Sequence, residues 1–110
     1  MEKRAVSLTE ADITKQIRDM LRSLRVMHVK IWQGLMSEKG ISDIVGVHNG
    51  RFFAIEIKTA KGKVSEHQER FLQRVRDAGG IAIVARCCED VVEALELKVE
   101  LWPLFERDKS

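Results

Sequence analysis

The 110-residue sequence predicts an α/β fold, with helices packed on a β-sheet. Three observations point there. Two amphipathic segments each follow a Ser/Thr capping box, at Thr9-x-x-Asp12 and at Ser65-x-x-Gln68. Asn49-Gly50 separates two β-prone runs, the pattern of a type I′ hairpin. The short apolar run Ile81–Ala85 then reads as a strand buried on both faces.

Each element has a local cause. Thr9 opens the first helix, and Ile13, Ile17, Met20, Leu21 and Leu24 recur at helical spacing, which carries it to near Arg25–Met27. His28–Gln33 reads as a strand and Gly34–Gly40 as a loop. Ser42–His48 and Arg51–Lys58 are the two arms of the hairpin, and Thr59–Val64 is a basic loop. Ser65 opens the second helix, whose stripe is Phe71, Leu72 and Val75 and whose stop is Gly79-Gly80. After the strand Ile81–Ala85, a third helix runs from Glu89 to about Lys98 with Val91, Val92 and Leu95 inward. The order is α-β-β-β-α-β-α. A helix precedes the last strand, so a crossover makes that strand parallel to its neighbour.

Length, composition and charge narrow the function. Residues 1–110 form one domain, with 45% hydrophobic and 33% charged residues, as in ordinary globular chains. The net charge is only +2, but residues 1–63 hold 12 Lys/Arg against 7 Asp/Glu and residues 64–110 hold 7 against 10. The first part is therefore the one suited to a polyanion. No apolar run approaches the roughly 18 residues of a membrane span, and the start lacks a signal-peptide core. Cys87 and Cys88 are adjacent and form no CxxC pair, which excludes a zinc knuckle and fits a reducing, cytoplasmic setting.

The hairpin register places chemistry. A two-residue turn pairs His48 with Arg51, and counting outward sets Asp43 opposite Glu56. Lys58 shares the face of Glu56, diagonal to Asp43. Like charges facing each other destabilise a sheet, and Val45, Val47, Phe52 and Ala54 make the rest of that face apolar. A cation between the two carboxylates resolves the conflict, and an oxygen-only donor set suits Mg²⁺, which acidifies water and polarises phosphoryl oxygen. Lys58 would orient or deprotonate that water, or hold developing charge. The plain alternative is a surface Glu56–Lys58 pair with Asp43 at a strand end. A lone E-x-K favours it; the register and the apolar company of Ile44, Val45, Phe53, Ile55 and Ile57 weigh against it.

Two further residues aim at the same place. At about 100° per residue, Glu10 lies within the apolar arc of the first helix and Gln68 within that of the second, both near the helix start. Each has a local alternative: Glu10 as an acid near a positive helix terminus, Gln68 as a capping residue folded onto its own backbone.

With Gly40-Ile-Ser-Asp43, Glu56-Ile57-Lys58 and Val64-Ser-Glu-His-Gln68, the chain resembles the PD-(D/E)xK nuclease superfamily, and within it the VRR-NUC domain, from about Thr9 to Leu95. Ser42 stands where the superfamily's name has proline. The resemblance implies a restriction-endonuclease-like αβββαβ core with a mixed central sheet. It implies that Asp43, Glu56 and the backbone carbonyl of Ile57 hold Mg²⁺ or Mn²⁺, that Lys58 assists the attacking water, and that Glu10 and Gln68 complete the site. It also implies a homodimer that cleaves branched DNA of the Holliday-junction type, in a bacterial or phage-infected cell. Flaps, duplex ends, RNA, and a non-catalytic DNA-binding role are the competing readings.

Basic residues flank this site. Lys15, Arg18, Arg22 and Arg25 form one flank of the first helix, and Lys61 and Lys63 follow Lys58. Both groups suit phosphate contacts, the alternative being a solvated helix face. Trp32, Met36 and residues 101–105 supply large apolar groups late in the chain or in loops, and Trp102 and Phe105 serve either as core caps or as a two-fold interface.

Overall fold

The computed structural model describes residues 7–32 and 38–101. The chain runs α1 (Glu10–Ser23), β1 (Met27–Lys30), β2 (Ile44–His48), β3 (Arg51–Ile57), α2 (Glu66–Asp77), β4 (Ile81–Ala85), α3 (Cys88–Leu95) and a 3₁₀ turn at Val99–Leu101. The four strands form one sheet in the order β1-β2-β3-β4. β1–β2 and β2–β3 are antiparallel, and β3–β4 is parallel, so the sheet is mixed as expected. Together with its helices it forms the restriction-endonuclease-like core. Among the described residues no helix is long and apolar enough to cross a membrane.

Strand alternation sorts the core into two layers. Ile44, Phe53, Ile55, Ile57 and Ala85 face α1 and α3, where they meet Ile13, Ile17, Leu21, Val91 and Leu95. Ala54 and Ala82 face the other way, onto Leu72 and Val75 of α2. α2 lies over β3 and β4, and Met27, Val29, Val47 and Phe52 remain exposed.

Both capping boxes form. The Thr9 and Ser65 side chains accept the backbone N–H of Asp12 and Gln68, and those two side chains accept in return from the Thr9 and Ser65 N–H. The helix ends depart from expectation. α1 stops at Ser23, because Arg25 turns left-handed (φ 60). The Val26 N–H then reaches the Leu21 carbonyl and the Arg25 N–H the Arg22 carbonyl, a Schellman stop that needs no glycine because Val26 and Leu21 are both buried. Arg25 is therefore off the helical flank to which its spacing assigned it. α3 ends at Leu95 rather than near Lys98 for the same reason, with Glu96 at φ 54 and Leu97 N–H bonded to the Val92 carbonyl.

β4 also differs from its reading. Helices pack on both of its faces, but it is an edge strand among the described residues, and Ile81, Ile83 and Val84 are only half-buried. The strand buried on every side is β3, where Phe53 to Ile57 are at most 2% exposed. The strand predicted over His28–Gln33 begins one residue earlier and ends at Lys30. Gln33, Met36, most of the predicted 34–40 loop, and residues 102–105 lie outside the described residues.

Candidate active site

The site is built by the hairpin. Its ladder pairs His48 with Arg51 and ends at Ile44–Ile55, so Asp43 stands one residue beyond, at the register position opposite Glu56. Asp43 is tied to both neighbouring segments, the residue after β1 and the end of β3. Its backbone carbonyl accepts the Ile31 N–H at 2.8 Å, and its carboxylate Oδ2 accepts the Ile57 N–H at 2.8 Å. The Ile57 N–H thus faces the Asp43 carboxylate.

Glu56 lies in the most buried strand at 2% exposure, where an acid needs partners. Gln68 supplies one: its Nε2 donates to Glu56 Oε2 at 2.7 Å. The Lys58 ammonium stands 4.0 Å from the same oxygen. Oε1 is buried with no hydrogen-bond partner. Burial, first, and then the charge of Asp43 and a hydrogen bond with its carboxyl push the Glu56 pKa up to about 8; Lys58 pulls the other way, and Glu10 adds to the rise. A proton on Glu56 can be shared with Asp43, whereas ionised Glu56 leaves Oε1 with no donor. This is an environment short of positive charge.

The two readings of Gln68 turn out to be compatible. Its Oε1 accepts the Ser65 N–H at 2.9 Å, closing the capping box, while its Nε2 reaches Glu56. These contacts also fix the amide orientation, since a flip would set two donors at Ser65 and two acceptors at Glu56. Glu10 differs. It is exposed in the first turn of α1, and it does not join Asp43 and Glu56 in a cluster: among the described residues no group of three or more His, Cys, Asp or Glu gathers in metal-binding range. A cation here would rest on two carboxylates, completed by backbone oxygen and water, a donor set that fits Mg²⁺ or Mn²⁺ better than a soft metal. The orphaned Oε1 is the atom that such an ion would satisfy.

The VRR-NUC domain family matches residues 3–88, more than three quarters of the chain. The chain belongs to the VRR-NUC family. It is therefore a domain of the PD-(D/E)xK nuclease type. No curated protein matches it.

In this VRR-NUC domain the basic residues fall into two groups. Lys15, Arg18 and Arg22 line one groove with Glu10. Lys61 and Lys63 are exposed in the loop after β3. Arg86, which the sequence reading passed over, holds that loop: its Nη1 donates to the carbonyls of Thr59 and Gly62, the latter at 2.9 Å. Gly40, part of the Gly40-x-x-Asp43 spacing, has a structural reason that the motif alone did not state. It has φ +82, and a Cβ there would lie 2.2 Å from the His67 carbonyl oxygen and 2.9 Å from the Gln68 nitrogen. Only glycine lets the segment before Asp43 press against the first turn of α2. An ion pair between Glu38 and Arg74 pins the same segment to α2. The spacing Gly40-x-x-Asp43 carried a signal for this contact; Arg86 had none.

Proposed function

We propose that this VRR-NUC domain is a Mg²⁺- or Mn²⁺-dependent, structure-specific DNA endonuclease that hydrolyses phosphodiester bonds in branched DNA, four-way junctions first among them. The observation that carries the reading is the buried Glu56 with its unpartnered Oε1, set beside Asp43 and 4.0 Å from Lys58. Asp43, Glu56 and the Ile57 carbonyl would hold the ion. When bound, the ion would lower the pKa of a water and polarise a phosphoryl oxygen. Asp43 is kept in place by the Ile57 N–H, and Glu56 by the Gln68 amide. Lys58, only 13% exposed, stands where it can orient the attacking water or hold the charge that develops on the phosphate oxygens. Glu10, exposed at the edge, acts on the site through its charge. Lys61 and Lys63 on one side, and Lys15, Arg18 and Arg22 on the other, would hold backbone phosphates and read shape rather than sequence. Two copies related by a two-fold axis would present two such sites to a junction.

The test is a cleavage panel of four-way junction, flap, blunt duplex and RNA with Mg²⁺. Asp43→Asn and Lys58→Ala are expected to lose at least about 100-fold in rate, in line with the loss of one electrostatic group, while junction binding survives. Wild-type rates from either purified variant would refute the assignment. Absence of cleavage on every substrate by the wild-type protein would favour a binding module. A preference for another member of the panel would reassign the substrate.

A further inference from the structure

The groove between α1 and β1 holds a feature that the hydrolytic site does not use. It has a volume of about 510 Å³ and is lined by Glu10, Lys15, Arg18, Arg22, Lys30 and Trp32, among others. Trp32 is 76% exposed, and the Lys30 ammonium sits 4.0 Å from the centre of its ring. Indoles bury large areas when they can, so one held this far into solvent at the mouth of a cationic groove is a surface for a planar partner.

We propose that this groove is a track for a single unpaired DNA strand, with Trp32 as the platform on which one of its bases stacks. The inference rests on the nuclease reading and adds a substrate feature that the site would recognise: bases left unpaired in a flap, or opened at the centre of a junction. The topology puts the platform beside the hydrolytic site. Lys30 pairs with Ile44, and the next residue, Ile31, donates to the Asp43 carbonyl, so Trp32 stands at the Asp43 end of the sheet. Glu10 lines the same groove, and its charge is felt at Glu56.

The charges suit a polyanion. Lys15, Arg18, Arg22 and Lys30 outnumber the acids lining the groove, Glu10 and Asp19. Asp19 pairs with Lys15 at 2.8 Å and with Arg22 at 3.2 Å, which holds those two cations along its wall. From Glu10 to Arg22, α1 extends about 18 Å, room for roughly five stacked nucleotides of one strand. Every base offers a π-face, so stacking on Trp32 is indifferent to sequence. In an intact duplex those faces are covered by neighbouring bases, and the platform therefore selects unpaired strand.

The chain has two tryptophans, so a Trp102→Phe protein reports on Trp32 alone. Titration of that metal-free protein with a 15-residue oligothymidylate is expected to quench its fluorescence, and a blunt duplex of equal length is not. Trp32→Ala should weaken oligothymidylate binding by about 10-fold and leave duplex binding within about twofold, with Trp32→Phe restoring most of the loss. Equal losses for both ligands, or no loss for either, would overturn the proposal. So would a Trp32→Ala protein that drops from dimer to monomer in light scattering while still binding oligothymidylate normally, which would assign the ring to a subunit contact. These readings need neither metal nor cleavage. The stacking track and the hydrolytic assignment can therefore fail separately.

Discussion

The two capping boxes make a natural experiment. At the start of α1, Asp12 closes its box with Thr9 and is exposed. At the start of α2, Gln68 closes the same kind of box with Ser65, yet its other amide atom donates to a buried carboxylate on β3. A carboxylate accepts on both atoms, so at Gln68's place it would repel Glu56. An amide accepts on one atom and donates on the other. One local motif therefore serves only its helix in the first case, and ties helix to site in the second. Gly40 and the Glu38–Arg74 pair reinforce that second tie.

The largest consequence is a difference in pH response. Glu56 carries a pKa raised from 4.5 to about 8. In the unfolded chain it loses its proton near 4.5, whereas the metal-free native protein holds that proton until about pH 8. Its contribution is thus fully present below 4.5, is lost as the pH rises to about 8, and is constant above. Urea unfolding of metal-free protein should lose stability over this window by on the order of a few kcal/mol, and Glu56→Gln should flatten the slope. The Asp12 carboxyl is held below its usual 3.8 by the Thr9 backbone N–H and then by the Thr9 hydroxyl, so its contribution is present above 3.8 and fades only as the pH falls further. The two carboxyls should therefore act in opposite directions, Glu56 costing stability as the pH rises through 4.5 to about 8 and Asp12 as the pH falls below 3.8.

A smaller effect separates the two boxes by substitution. Gln68→Ala removes a cap partner and the donor to Glu56 together, and should cost about 2 kcal/mol in urea unfolding near neutral pH. Asp12→Ala removes a solvent-exposed cap partner alone, and its midpoint should shift less. Equal shifts would mean that the Gln68–Glu56 contact contributes nothing to the folded protein.

Much of this was legible in residue order. Asn49-Gly50 sets the register that brings Asp43 opposite Glu56, because turn chemistry is local and side chains alternate strictly along a strand. The caps at Thr9 and Ser65 were legible for the same reason. The failures are of another kind. Arg25 left the helical flank because burial of Val26 rewarded a left-handed turn without glycine. An apolar run such as Ile81–Ala85 shows that helices cover two faces, but not whether a further strand lies alongside. The reach of Gln68 to Glu56, the pressure of Gly40 on His67 and the grip of Arg86 on the 59–62 loop are contacts between distant segments, set by packing rather than by any local pattern.

On the proposed function, Asp43 and Glu56 together seat one divalent ion. Anomalous scattering from a crystal soaked in Mn²⁺ would locate that ion. A single strong peak between the two carboxylates, absent from Asp43→Asn crystals, is expected. No peak there, or a peak unchanged by that substitution, would contradict the proposed seat.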